Sequence, residues 1–136
     1  MTPNIPALSI RQPWAELILL GRKTIELRTW STNYRGQLWI HTGLQSDPNA
    51  EQEFGHLFKG GYVGSVILES VIPLHRDRWQ AWQARHLDHG PYQPGVYAWI
   101  LSNPRRLVTP IPGPGQPGLF YPPQDSVANL REASLD

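Results

Sequence analysis

Lys23, Glu26 and Arg28 sit close together in the run Gly21-Arg22-Lys23-Thr24-Ile25-Glu26-Leu27-Arg28. They combine a mobile ammonium, a carboxylate and a planar guanidinium that can grip a phosphate or a base edge through two parallel hydrogen bonds. A carboxylate in that company can act as a general base toward water or a ribose 2′-hydroxyl. The neighbouring lysine can then stabilise charge developing on an oxyanion or phosphorane. The same carboxylate can accept from an exocyclic amine, as carboxylates do with cytosine. Exposed strand charges more often form a solvated ion-pair cluster, in which each pair contributes about 0–1 kcal/mol. The triad is therefore either solvated surface or the floor of a polar site.

Further residues could serve such a site. Arg35 offers a second guanidinium, and Arg11 and Gln12 stand at the start of the first expected helix, placed to line the same cleft. Trp30 and Trp39 offer faces for base stacking, worth about 1–3 kcal/mol per base. Trp14 and Trp99 are read as core. His41 titrates near neutrality and could be a second acid/base group, although a lone strand histidine is more often a structural hydrogen-bonder. Glu69 is a weaker candidate, more simply read as a charge guarding a strand edge. Arg76, Arg78 and Arg85, interleaved with Trp79 and Trp82, form a second basic-aromatic stretch. The simpler reading there is a solvated helix that lays its tryptophans on the domain. The five histidines (41, 56, 75, 86 and 89) show no zinc-like spacing. No phosphate loop, nucleophile elbow or dinucleotide fingerprint is present.

The elements that must position these groups follow from periodicity. Ala7 to Arg11 reads as a short strand. Pro13 suits the first turn of a helix, Trp14, Leu17 and Ile18 share one helical face, and Gly21 closes it. The helix Pro13 to Leu20 leads into a strand Lys23 to Thr29, whose Ile25 and Leu27 face the core. Gln37 to Thr42 alternates again and should pair with the first strand, with Leu38 and Ile40 on one side and Trp39 and His41 on the other. Asp47 and Pro48 open a short helix that carries Phe54, Leu57 and Phe58. Tyr62 to Ile72 is a long strand in which Gly64 marks a bulge or a close approach. Arg76 to His89 is helical, and Gly95 to Leu101 is another strand. Seven prolines and three glycines between Pro104 and Pro123 argue against long regular structure there. An ordered loop docked by Leu119, Phe120 and Tyr121 is expected instead. The polar end has room for a helical turn or two around Val127 and Leu130, with fraying expected at the terminus.

At 136 residues the chain suits one domain with a core of its own. A hydrophobic fraction of 40% and a charged fraction of 17% fit a globular protein. Without cysteine there are no disulfides and no thiolate metal sites. The net charge of +1 argues for no nucleic-acid role by itself, but its distribution is uneven. Residues 1–41 hold five basic and two acidic groups, and the remainder holds seven basic and nine acidic. The basic character thus travels with the triad. Neither a signal-peptide layout nor a membrane-length apolar run is seen, so a cytoplasmic location is expected.

Three stretches together resemble a known family. They are Leu8-Ser9-Ile10-Arg11-Gln12-Pro13-Trp14-Ala15, then Gly21-x-Lys23-x-x-Glu26-x-Arg28-x-Trp30, then Tyr34-Arg35-Gly36-x-Leu38-x-Ile40-His41. They look like the ASCH domain, and Gly64-Ser65-Val66, Tyr97 to Leu101 and Gly118-Leu119-Phe120 look like its later strands and closing loop. The likeness runs from about Ala7 to Pro122. It implies a PUA-like fold and RNA binding in a cleft beside the barrel, with Lys23, Glu26 and Arg28 at the motif positions. Some relatives look like hydrolases. One branch resembles an N4-acetylcytidine amidohydrolase that uses a lysine and a threonine three residues later. Here the third residue after Lys23 is Glu26, so that pair is incomplete. Other relatives resemble ribonucleases.

The expectation is an α+β, PUA-like small mixed β-barrel of about five to six strands with three short helices. Residues 1–124 make one domain and 125–136 a polar tail. The first functional reading is a module that holds single-stranded RNA or a nucleotide, with DNA second, through Arg11, Gln12, Lys23, Glu26, Arg28, Trp30, Arg35 and Trp39. The alternative is a hydrolase of the same cleft, a ribonuclease or an amidohydrolase on a modified cytidine, using Lys23, Glu26 and His41. No cofactor, metal or membrane association is expected.

Overall fold

The computed structural model describes residues 4–46 and 52–136. Its strands are β1 (Ala7–Ser9), β2 (Ile25–Arg28), β3 (Gly36–Thr42), β4 (Gly61–Pro73), β5 (Tyr97–Pro112) and β6 (Leu119–Phe120). The helices are α1 (Trp14–Leu19), α2 (Arg76–Ala81), α3 (Gln83–His86) and α4 (Gln124–Glu132), and residues 52–54 are also helical. The helix start read at Asp47 and Pro48 lies outside the described residues. The six strands make one curled half-barrel sheet in the order β2-β5-β4-β3-β1-β6. β1 and β3 run parallel, and every other neighbouring pair is antiparallel. The expected α+β mixed sheet is thus the observed one. β3 does pair with the first strand, while β2 lies at the opposite edge.

Three apolar clusters hold the sheet. α1 lays Ala15 and Ile18 on Leu8, Leu38, Ile40, Val66 and Trp99, filling the curl. The other face of β3 packs Trp39 with Tyr62, Leu107, Phe120 and Leu130 beneath β6 and α4. The third cluster sets Ile25, with Leu27 beside it, against Leu74 and Trp79 of the α2 region. β2 therefore points its apolar residues at α2 and leaves the alternate side for Glu26 and Arg28. α1 can approach the sheet closely because β4 carries Gly64. A Cβ there would collide with the Arg105 carbonyl oxygen and lie 2.6 Å from Leu19 Cδ2. The pairing register also shifts beside it, so Gly64 is both a bulge and a close approach.

The proline-rich stretch corrects the sequence reading. β5 continues through Pro104 and Pro110 to Pro112 instead of ending at Leu101. Asn103, at φ 50°, sits at a register shift where β4 advances two positions and β5 three, so the first proline falls in a bulge. Beyond it, β5 has lost β2 as a neighbour, because β2 pairs only with residues 97–100. Val108 donates its N–H to the Ser134 carbonyl, and the Arg106 carbonyl accepts from the Asp136 N–H, both away from β4. Pro110 and Pro112 share that parity, so their missing donors fall on the open side, where a strand tolerates proline.

The helix expected over Arg76 to His89 is present but broken at Trp82, and Leu87 at φ 63° ends it. The turn expected around Val127 and Leu130 is the nine-residue α4, which buries Leu130. Leu135 then bridges to Leu107. Among the described residues no helix is long and apolar enough to cross a membrane.

Candidate functional site

β1 and β2 are not hydrogen-bonded neighbours, and between their ends the half-barrel opens into a cleft of about 1040 Å³. Ser9, Arg11 and Trp14 form one wall, Glu26, Arg28 and Trp30 form another, and residues 43–45 with Gly115 and Pro117 close the rim. Alternation along β2 puts Glu26 and Arg28 on the cleft side. Glu26 is not a solvated strand charge, being only 8% exposed. Its Oε2 accepts from Arg28 Nε at 3.1 Å and from Arg28 Nη2 at 2.9 Å. Arg28 Nη2 also donates to the Ser9 carbonyl at 2.9 Å, tying β2 to β1 across the cleft. Arg28 Nη1 has no protein acceptor among the described residues. One corner of a pinned guanidinium is thereby left for a ligand oxygen.

Lys23 lies behind this pair. After Gly21 closes α1, the Arg22 and Lys23 N–H groups return to the Leu17 carbonyl, and the Lys23 side chain is folded under the helix at 4% exposure. Its Nζ donates to the His86 carbonyl, stands 3.6 Å from Glu26 Oε1 and lies 5.3 Å from the centre of the Trp14 ring. Burial holds its pKa below the usual lysine value, against the pull of Glu26. Lys23 faces a smaller cavity of about 240 Å³ that shares Trp14, Glu26 and Leu27 with the main cleft and adds His86 and Asp88. The chain Lys23–Glu26–Arg28, buried at its first two members and half-buried at the third, thus spans from this cavity to the cleft.

Of the other residues singled out in the sequence, the structure brings Trp30 and Arg11 to the cleft. Trp30 stands edge to face with Trp99, ring centres 4.8 Å apart, and the Trp99 indole donates to its carbonyl. Arg11 is exposed at the rim, with Nη2 3.5 Å from Gln45 Oε1. Four residues are placed elsewhere. Gln12 is buried and its amide is used up by backbone, donating to the Phe58 carbonyl and accepting from the Glu16 N–H, both at 3.0 Å. Arg35 points its Nη1 at the Thr32 and Tyr34 carbonyls, each 2.7 Å away, and pins its own loop. Trp39, read as a stacking platform, is 8% exposed and belongs to the second core cluster.

His41, read as an acid/base group, is 2% exposed. It stands 3.0 Å from Ser9 Oγ through Nδ1 and 2.9 Å from the Gly113 carbonyl through Nε2. The carbonyl can only accept, so Nε2 carries the proton and Nδ1 takes the serine hydroxyl. Burial lowers its pKa against the Gly113 bond. The segment after β5 presses on the ring so closely that a Cβ at Gly115 would collide with it. His41 is therefore a strut holding the cleft rim. Glu69 is exposed and accepts from Ser102. In the second basic-aromatic stretch, Trp79 is buried, while Arg78 and Arg85 lie 5.1 and 4.6 Å from the Trp82 ring centre. Among the described residues no group of three His, Asp or Glu side chains could hold a metal ion.

Sequence reasoning missed two contributors. Ser9 occupies the polar position of a three-residue strand, with nothing in the pattern to mark it. Trp14 looks like core by helical spacing and does pack on the first cluster, yet it also walls both cavities. Its place at the first turn, directly after the strand end, was the available signal.

The fold and site define a small curled-sheet domain with a charged cleft beside its open edge. A family model for the ASCH domain matches residues 8–111, and the chain belongs to the ASCH domain family. Its curated relatives include activating signal cointegrator 1 of Mus musculus, 27% identical over 124 residues, and that of Homo sapiens, 26% identical. Each match covers 83% of this chain, which spans only 21% of those proteins. Crystal structures of the ASCH protein of Zymomonas mobilis share the fold. A tyrosine-to-phenylalanine mutant of that protein superposes with a TM-score of 0.70 at 16% identity, covering 97% of this chain and 100% of that one. The unmutated protein gives 0.68 at 15%, covering 96% of each.

Proposed function

We propose that this protein binds single-stranded RNA, or a nucleotide, in the cleft between β1 and β2. The observation that carries the reading is Arg28, fixed by Glu26 and by the Ser9 carbonyl, with Nη1 unclaimed and with Trp14 and Trp30 on the same cleft. A pinned guanidinium beside aromatic faces suits a phosphate and the base attached to it. The family resemblance points the same way. Arg11 at the rim supplies a second, more mobile charge. Single-stranded DNA presents the same groups except the 2′-hydroxyl and is the natural comparison ligand.

The test is fluorescence anisotropy with a labelled RNA octamer at several salt concentrations. Arg28→Gln and Trp30→Ala should each weaken binding about tenfold. Loss of one phosphate contact should also lower the salt slope by about 0.7 in the arginine variant. Octamer affinity untouched by either change would refute the reading.

A hydrolase reading rests on a different observation, the buried Lys23 with its lowered pKa next to Glu26 at a second cavity. Such a pair is the arrangement by which a site tunes an acid or a base. Incubation with RNA and with N4-acylated cytidine, followed by mass spectrometry, should then yield product that Glu26→Gln abolishes. Intact substrates leave the protein a binder.

A further inference from the structure

A third cavity, of about 190 Å³, lies at the other end of β1 and is lined by Ile5, Trp39, Tyr121 and Val127, with Gln124 and Arg131 at its edge. We propose that it is a second base-binding subsite, which takes one nucleobase of a strand whose neighbouring segment lies in the main cleft. The proposal rests on the nucleic-acid reading above and extends it to a second site.

The lining suits a planar ring. Trp39, at 8% exposure, closes only the floor and is held in place by the second core cluster. Tyr121 forms the outer wall and is 60% exposed, the residue after the buried Phe120 of β6. The exposed Tyr121 ring can meet a base through its π face, whichever base it is. The Gln124 amide offers both a donor and an acceptor to a base edge. Arg131, exposed on α4, has no carboxylate or hydrogen-bond partner among the described residues. The volume falls below the ~300–1000 Å³ that encloses a whole drug-sized ligand. One ring system fits inside while sugar and phosphate stay outside, where Arg131 can meet the phosphate.

Two stretches of chain run from one site to the other. Ile5 lines the small cavity and Ser9 lines the cleft, four residues apart along an extended chain, or about 13 Å. The segment after β5 makes the same connection, with Gly115 and Pro117 at the cleft and Tyr121 and Pro122 at the cavity. Even at the ~3.4 Å per nucleotide that a strand keeps within duplex DNA, about four steps cover that distance, and an extended strand covers it in fewer. A hexanucleotide spans both and a dinucleotide does not. Joining two weak sites on one strand raises affinity without any new contact.

The experiment compares a ribo-dinucleotide with a ribo-hexanucleotide on the wild type, Tyr121→Ala, Arg131→Gln and Arg28→Gln. It adds crosslinking of a hexanucleotide bearing a terminal 4-thiouridine. The wild type should bind the hexamer at least tenfold more tightly than the dimer. Tyr121→Ala and Arg131→Gln, both at surface positions, should each remove most of that gain and leave dimer affinity unchanged. The crosslink should map to Tyr121. Hexamer affinity unchanged in both surface variants, while Arg28→Gln weakens both lengths, would overturn the second subsite and leave the cleft reading standing. Absence of binding at either length would overturn both.

Discussion

β2 and β3 look alike in sequence and end in opposite roles. Each alternates apolar and polar or aromatic residues, and each offers an outward face with ionisable or stacking groups. On β2 that face, Glu26 and Arg28, looks into the cleft. On β3 the corresponding face, Trp39 and His41, is roofed by β6, α4 and the segment around Gly113 to Gly115, and it becomes a second core. Period-2 alternation sorts side chains onto two faces but does not say what covers either. What separates these strands is their place in the sheet. β2 is an edge strand beside an opening, while β3 lies between β4 and β1 with chain returning over both faces.

The sharpest way to break this contrast is on the roofed strand. Trp39→Ala should lower stability by about 3–5 kcal/mol, the range for emptying a core tryptophan, measured by urea unfolding. A loss under ~1 kcal/mol would return Trp39 to the surface. On the open strand, Glu26→Ala should cost about 3 kcal/mol, because it leaves the buried Lys23 and the half-buried Arg28 without their shared partner. Glu26→Gln should cost less, since the amide oxygen still accepts from Arg28. Equal losses in the two variants would mean that the carboxylate charge accounts for the whole effect and that the hydrogen bond to Arg28 adds nothing to it.

The smallest effect concerns pH. His41 has a folded pKa depressed below its ordinary 6.5, so the unfolded chain binds more protons as pH falls past 6.5. Stability is then complete above 6.5 and is lost progressively as the pH falls toward and through the lower folded value. His41→Gln should flatten stability over that window, and a slope unchanged by the substitution would assign it to other groups.

Much of the architecture was legible because local signals agreed with the global fold. Pro13, Trp14, Leu17 and Gly21 fixed α1, and Ile25 and Leu27 fixed the face of β2. The rest depended on distant chain. Pro110 and Pro112 read as breakers until the open side of β5 is known. Arg35 and Gln12 offer ligand chemistry in sequence, but backbone carbonyls at Thr32 and Phe58 claim them in the fold. The triad was found because its three members lie on one short stretch. Ser9, held against it by strand placement, left no local trace.

One contact bears on how the cleft behaves when something enters it. Glu16, in the first turn of α1, receives both Nη groups of Arg106 from β5 at 2.8 Å. Trp14 rides on that same turn, so the aromatic wall is bolted to β5 instead of hanging on a hinge. For the strand proposed above, such a wall predicts entry by fit without a clamping motion, at a rate set by diffusional arrival.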